Sequence, residues 1–298
     1  MLDHLLPHYS GELYFKNTVP DRAMRSVYST DASVYQEHPL AVVVPKTIED
    51  IVSIVKFANE TGNTIIPRAA GTSLAGQVVG SGIVVDISRY FTKILEVNQN
   101  EKWVRVQPGV IRDDLNAYLK PFGLMFGPET STSNRAMIGG MIGNNSSGLH
   151  SIIWGDTRSN ILEIEAILYN GEKVKFAAVD KKALSQLMEN DSAEGKIHKE
   201  VIRLLQEPEH QKAIIEGFPK KSISRRNTGY ALDKALEMLE DINNSDFNLC
   251  KLLAGSEGTL CFVTEAKLNL IDLPLKEAGM VAIHTGSVHE ALLANLVA

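Results

Sequence analysis

Between two short apolar runs, residues 64–66 and 83–87, lies a long segment that carries Gly71, Gly76, Gly80 and Gly82 among small and polar residues. A connection of that length inside a compact domain either performs a function or lacks fixed structure, and strand-like sequence on both sides favours function. Its first part, residues 67–77, combines Pro67, the cation Arg68, the small residues Ala69, Ala70 and Gly71, the hydroxyls of Thr72 and Ser73, and Gln77. Small side chains let backbone N–H groups converge on an anion, so the segment reads as a phosphate cradle. A tight loop capping a sheet fits the same residues equally well. Arg68 reads either as a charge beside the anion or as a side chain turned to solvent or a carboxylate.

Two familiar phosphate motifs do not fit. Gly71 and Gly76 have the spacing of a P-loop, but Gln77 stands where its Lys belongs and Val78 where its Ser or Thr belongs. Gly80 and Gly82 precede a strand instead of following one and lack the third glycine of a dinucleotide fingerprint. Triphosphate chemistry and a Rossmann nucleotide site are both disfavoured.

The flanking sequence predicts strand, helix, strand. Residues 41–44 are apolar; Thr47 followed by Asp50 begins a capping box; apolar residues keep helical spacing until Gly62. Further strands are expected at 94–97 and 103–107, then a helix over 111–120 ending near Gly123. Residues 127–150 are again rich in Gly, Ser, Thr and Asn. Residues 161–169 and 173–176 flank Asn170-Gly171, a strong hairpin signal. Residues 181–216 read as surface helices, 259–270 as a strand, 279–284 as a strand and 288–297 as a helix. With 298 residues, 44% of them hydrophobic, the chain has room for about two α+β lobes.

Charge limits the partners. Acidic residues outnumber basic ones by 36 to 30, and no Lys/Arg run resembles a nucleic-acid footprint. Cys250 and Cys261, in apolar surroundings, fit buried thiols and a cytoplasmic location. Residues 1–10 lack the long apolar core of a signal peptide or spanning helix, which leaves peripheral membrane contact open. His4 and His8 are four apart, but Pro7 lies between them and no acidic or Cys partner is near, so no metal site is expected.

Two more segments carry chemistry. Pro128, Glu129, Thr130, Ser131, Thr132, Ser133 and Asn134 lead to Ile138-Gly139-Gly140 and then to Gly143, Asn144, Asn145, Ser146, Ser147 and Gly148. Donors without net charge, with glycines permitting close approach to a planar face, suit a flavin ring; they also suit a polar surface loop. Residues 253–265 are a turn running into an apolar strand.

Taken in order, 67–77, 85–88, 106–110, 138–140, 227–230 and 255–259 resemble the vanillyl-alcohol-oxidase-type, or PCMH-type, FAD-binding fold. The branch is that of glycolate oxidase flavin subunits and D-lactate and D-2-hydroxyglutarate dehydrogenases, and the likeness spans residues 28–273. Residues 128–134 and 144–148 further resemble long members fused to a C-terminal iron–sulfur module. The resemblance implies an α+β fold of two lobes with FAD between them. Expected divisions are an N-terminal arm at 1–37, an FAD-binding domain at 38–273 whose lobes divide near 107, and the start of a cap domain at 274–298.

It further implies that residues 67–73 wrap the diphosphate. Residues 129–133 with Gly139 and Gly140 would lie along the ribityl chain and flavin, with 144–148 nearby. Glu257, Gly258, Thr259 and Val263 would hold the adenosine end. Residues 227–230 would either pack beside the isoalloxazine or support the second lobe. His150 could bond FAD or be structural, and Glu129 reads as a loop-organising carboxylate. Ala69 and Ala70 replace glycines common in the family, so an intact cradle requires negative φ at both. Cys261 stands where the family often has Gly. Relatives that tether FAD covalently place a histidine in the loop, and residues 67–77 have none, so non-covalent FAD is expected.

The implied reaction is oxidation of a D-2-hydroxy acid by hydride transfer to flavin N5, with electrons passed to an iron–sulfur centre or quinone. The base and carboxylate-binding cations would lie in the cap, so this chain alone is expected to be inactive and its catalytic residues remain unassigned. The alternatives are a cofactor-binding or assembly module without turnover, and an enolpyruvyl-group reductase of the same fold. A partial sheet begun at 279–297 would expose an edge through which two copies pair.

Overall fold

The computed structural model describes residues 9–220, 222–223, 229–275 and 279–297. The chain opens on β1 (Glu12–Tyr14) and α1 (Val19–Val27), where Thr18 caps the helix by accepting the Asp21 N–H. Next come β2 (Ala41–Val44), α2 (Ile48–Thr61), β3 (Ile65–Arg68) and β4 (Ile83–Asp86). The capping box is formed: the Thr47 side chain accepts the Asp50 N–H, and Asp50 accepts the Thr47 N–H. Gly62, left-handed at φ 68°, ends the helix.

These strands make a four-stranded sheet in the order β1-β2-β4-β3, parallel among β2, β4 and β3. All four residues of β2 and of β4 are buried, as expected of parallel strands covered on both faces. Ile51, Ile54, Val55 and Ala58 of α2 pack with Val43, Ile83 and Val85 into one core. β1 adds antiparallel to β2. Asp50 also accepts the Ser10 N–H at 2.8 Å and its hydroxyl at 2.6 Å, fastening the segment before β1. The N-terminal arm assigned to 1–37 therefore contributes a strand to the first sheet.

The second unit follows: β5 (Ile94–Asn98), β6 (Trp103–Val106), α3 (Arg112–Leu119), β7 (Leu124–Met125), α4 (Ile138–Asn144), α5 (Ser151–Trp154), β8 (Ile161–Ile167) and β9 (Lys173–Ala177). Helices α6 (Lys181–Glu189), α7 (Ala193–Gln206), α8 (Pro208–Gly217), α9 (Leu232–Glu240) and α10 (Cys250–Leu253) cover it. β10 (Phe262–Asn269), β11 (Ile271–Asp272) and α11 (Val288–Val297) end the chain. The second sheet is antiparallel throughout in the order β5-β6-β10-β8-β9, and β11 pairs with β7.

Several sequence expectations meet this architecture directly. The β8–β9 hairpin turns at Asn170-Gly171, with Gly171 at φ 83°. Others are corrected. β5 and β6, expected in the first lobe, pair into the second sheet, so strand pairing divides the lobes between β4 and β5 instead of near 107. Within the glycine-rich 127–150 stretch a helix forms, because Ile138, Met141 and Ile142 at i, i+3 and i+4 bury one face. Residues 279–284 form no strand among the described residues: an extended run without a hydrogen-bonding neighbour stays solvated. α11 does form, yet buries no residue. Among the described residues, the open sheet edge expected at 279–297 for pairing two copies does not form.

Two residues link the sheets. Ile167, at the end of β8, and Phe262, at the start of β10, bury their side chains in the first lobe's core. The lobes thereby share a hydrophobic contact, and Phe262 also lines the space between them.

Candidate functional site

A cleft of about 840 Å³ separates the 67–78 loop of the first lobe from residues 130–147 and 253–263 of the second. A third wall was not anticipated: Val27, at the end of α1, with Thr30, Asp31 and Ala32 from the segment after it.

The first wall begins where β3 ends. Arg68 turns toward the arm: its guanidinium donates to Thr30 O at 2.8 Å and sits 5.0 Å from the centre of the Tyr28 ring. The Tyr28 hydroxyl donates to the Asp86 carboxylate, whose other oxygen accepts the Ser88 N–H at 2.7 Å. Burial, followed by the Asp86 bond, pushes the Tyr28 hydroxyl well above its ordinary pKa, so it stays a donor. Arg68 thus clasps arm to loop. Ala69 and Ala70 keep negative φ, as an intact cradle requires. Gly71, at φ 64°, takes a conformation that favours glycine, and a Cβ there would lie 2.9 Å from the Arg68 guanidinium. The loop is held from the arm side as well, since the Ala32 N–H donates to Gly71 O.

On the second wall, Thr130, Ser131 and Thr132 face the cleft, with Gly139, Gly140, Asn144, Ser146 and Ser147 beyond them. A Cβ at Gly140 would meet only the Ala69 Cβ, at 3.6 Å, so α4 presents bare backbone across from the loop. Arg135 and Met137 also line this wall, unanticipated from sequence. On the third segment, Glu257, Gly258 and Val263 line the cleft, and Gln77 reaches across it to Glu257 at 3.4 Å.

Six expected residues sit behind the walls. Pro128 O accepts the Arg112 guanidinium, and the Ser133 hydroxyl closes a turn with Thr130. Glu129 accepts the His150 backbone N–H and lies 2.7 Å from its Nδ1, while Gly148 packs so closely that a Cβ would collide with Glu129. Burial opposes ionisation of Glu129, yet these His150 contacts hold its carboxyl below the usual range. Glu129 thus ties residue 150 to its own loop, and His150 is exposed. Asn145, buried and left-handed, accepts the Arg158 N–H and donates to Asp156. Thr259 bonds Ser256 O and the Tyr230 hydroxyl.

Cys261, expected as a buried thiol, is instead only half-buried and lines the cleft, where burial pushes its thiol up to about 12. Cys250 is buried elsewhere, donating to Phe176 O. Asn227 and Thr228, like His4 and His8, lie outside the described residues. Among the described residues no three His, Cys, Asp or Glu side chains form a metal-binding group, and no helix is long and apolar enough to cross a membrane.

Residues 39–177 match a family model described as an FAD binding domain. D-2-hydroxyglutarate dehydrogenase from Haemophilus influenzae is 41% identical over 273 residues, covering 90% of this chain and 25% of that protein. The protein of the same name from Escherichia coli K12 is 40% identical over 281 residues, covering 93% and 26%. The glycolate oxidase subunit GlcD of Bacillus subtilis is 29% identical over 271 residues, covering 90% and 45%. The chain spans about a quarter of the length of the D-2-hydroxyglutarate dehydrogenases it matches. In fold it is similar to an alkyldihydroxyacetonephosphate synthase, with a TM-score of 0.61 at 17% identity, over 92% of this chain and 40% of the other.

Proposed function

The chain carries an FAD binding domain over residues 39–177, and on that premise we propose that FAD lies in the interlobe cleft of a 2-hydroxy-acid oxidoreductase. The observation that carries this reading is the convergence of three loops, distant in sequence, on one cleft of about 840 Å³, a size suited to a large cofactor. The fit is good in detail. Gly140 offers open backbone, Thr72, Ser73, Thr130 and Thr132 offer hydroxyls, and Gly71 shapes the cradle without a Cβ.

Residues 67–73, with Gln77, hold the diphosphate through backbone N–H groups and the hydroxyls of Thr72 and Ser73. Thr130, Ser131, Thr132, Gly139 and Gly140 lie along the ribityl chain and ring, with Asn144, Ser146 and Ser147 nearby. Glu257, Gly258 and Val263 border the adenosine end. Pro128, Glu129, Ser133, Asn145, Gly148 and Thr259 shape these walls from behind. When bound, FAD supplies a hydride acceptor at N5 for oxidation of a D-2-hydroxy acid. No histidine is among the described residues lining the cleft, which supports non-covalent attachment.

The 40–41% identity to D-2-hydroxyglutarate dehydrogenases favours D-2-hydroxyglutarate over glycolate and D-lactate as the substrate of the whole protein. The base and substrate-binding cations are assigned to a cap beginning at 274–298, and the whole protein would pass its electrons to an iron–sulfur centre or a quinone. The FAD-binding domain is assigned to 38–273, with a cytoplasmic location for the whole. For these residues alone we favour cofactor binding without turnover, since the base is assigned to the cap.

Purified chain should show a flavin absorbance spectrum, if necessary after FAD is added; a folded chain that takes up no FAD refutes the reading. Acid precipitation should release the chromophore to the supernatant. In the complete protein, D-2-hydroxyglutarate should bleach the flavin and NADPH should not; the reverse would make it a reductase.

A further inference from the structure

Asp31 is a charged side chain on the cleft wall with an unused, buried oxygen. Its Oδ1 accepts the Ser33 N–H at 2.8 Å, which fixes the carboxylate in a turn. Its Oδ2 is buried and has no hydrogen-bond partner, although Asp31 lines the cleft. The segment carrying it is anchored on both sides of that residue. Thr30 O accepts the Arg68 guanidinium, Thr30 bridges Gln36, and the Ala32 N–H donates to Gly71 O at 3.2 Å.

A carboxylate oxygen held this way is a costly arrangement unless something donates to it. A diphosphate in the neighbouring cradle cannot be that partner, because two anions repel. The geometry points to Asp31 as a cofactor-contacting residue that accepts a hydrogen bond through Oδ2 from a hydroxyl or amino group of FAD. This rests on the FAD reading of the cleft. It extends the site to the arm before β2, outside residues 39–177. The donor belongs either to the adenosine half, which offers ribose hydroxyls and the adenine amine, or to the flavin half, which offers ribityl hydroxyls and N3–H.

Replacing Asp31 with Asn tests this by the sign of the effect. The Asn oxygen still accepts the Ser33 N–H, while an NH2 group stands where Oδ2 was and opposes any donor on the ligand. Removal of a negative charge beside the diphosphate would by itself tighten binding. FAD, FMN and ADP are titrated calorimetrically into the chain and into Asp31→Asn, and ligand-free melting temperatures are compared.

The expected result is FAD affinity about tenfold lower or worse, together with a ligand-free melting temperature equal to or above that of the parent. A loss confined to ADP assigns the donor to adenosine, and one confined to FMN assigns it to the flavin half. Asp31→Ser, which also removes the acceptor, gives the same readout should the Asn variant misfold. Unchanged or tighter FAD binding overturns the proposal. So does a lower melting temperature with equal losses for all three ligands, which would make Asp31 a support of the fold. A parent chain that is folded but takes up no FAD fails earlier, at the cofactor reading itself.

Discussion

Gly71 and Gly62 share a backbone conformation and differ in what surrounds them, so the pair isolates the energy of the clasp between arm and loop. Both are left-handed, at φ 64° and 68°. A Cβ on Gly62 would meet nothing within 4 Å, so Gly62→Ala costs only the left-handed strain, about 1 kcal/mol. A Cβ on Gly71 would stand 2.9 Å from one Arg68 guanidinium nitrogen and 3.2 Å from the carbon. The guanidinium cannot retreat freely, because it is bonded to Thr30 O and stacked on Tyr28. Gly71→Ala therefore adds loss or distortion of a charge-assisted hydrogen bond, worth about 1–2 kcal/mol at this partly exposed place. The expected total is about 2–3 kcal/mol, against about 1 for Gly62→Ala. Urea unfolding of the two variants and the parent measures both, with equal m-values required for the comparison. Calorimetric titration then adds a second contrast: Gly71→Ala weakens FAD binding and Gly62→Ala does not. Equal destabilisation by the two substitutions would refute the clasp, leaving backbone strain as the whole effect.

Gly140→Leu should leave the melting temperature within a few degrees, since only the Ala69 Cβ is near, yet abolish FAD uptake by filling the cleft; a Leu variant that binds FAD normally places the cofactor elsewhere. Glu163 is opposed by burial but held down to about 2 by Lys175, Arg105 and Lys267. Its folded pKa lies below the unfolded one, so its stabilisation is present above about pH 4.3 and lost as pH falls toward about 2. Acid unfolding of Glu163→Gln should accordingly be shallower across that window, and an identical acid limb would refute the assignment. Asp50 follows the same sign. Burial opposes its ionisation, and hydrogen bonds from Ser10, Lys46 and Thr47 hold its carboxyl below the usual range. Asp50→Ala should cost about 2–3 kcal/mol by urea unfolding, since several donors lose one acceptor together.

Features set by a few adjacent residues were legible in the sequence. Thr47, Asp50 and Gly62 mark α2 because capping and left-handed termination depend on groups within one turn, and Asn170-Gly171 marks its hairpin for the same reason. Pairing over long distances was not. β5 and β6 read as ordinary strands, but their sheet is decided by β10, which arrives after residue 260. Ile138, Met141 and Ile142 carried a helical signal for α4, masked by three glycines, of which Gly139 packs against Pro108, Gly140 faces Ala69 and Gly143 faces Glu257. The cradle was legible through its small residues. The arm at Val27 to Ala32 was not, since nothing local reveals that Thr30 is Arg68's partner, and Arg135 joins the cleft only through the fold.

The central place of β10 bears on how the chain is made. Its two neighbours in the second sheet, β6 and β8, are translated long before it, and each presents a row of unpaired amides and carbonyls until residues 262–269 emerge. The first sheet needs nothing beyond residue 86 for its strands. Synthesis thus yields a completed four-stranded sheet followed by a prolonged interval in which two strand edges await their bridge, and that interval is when an unfinished chain is most prone to join another.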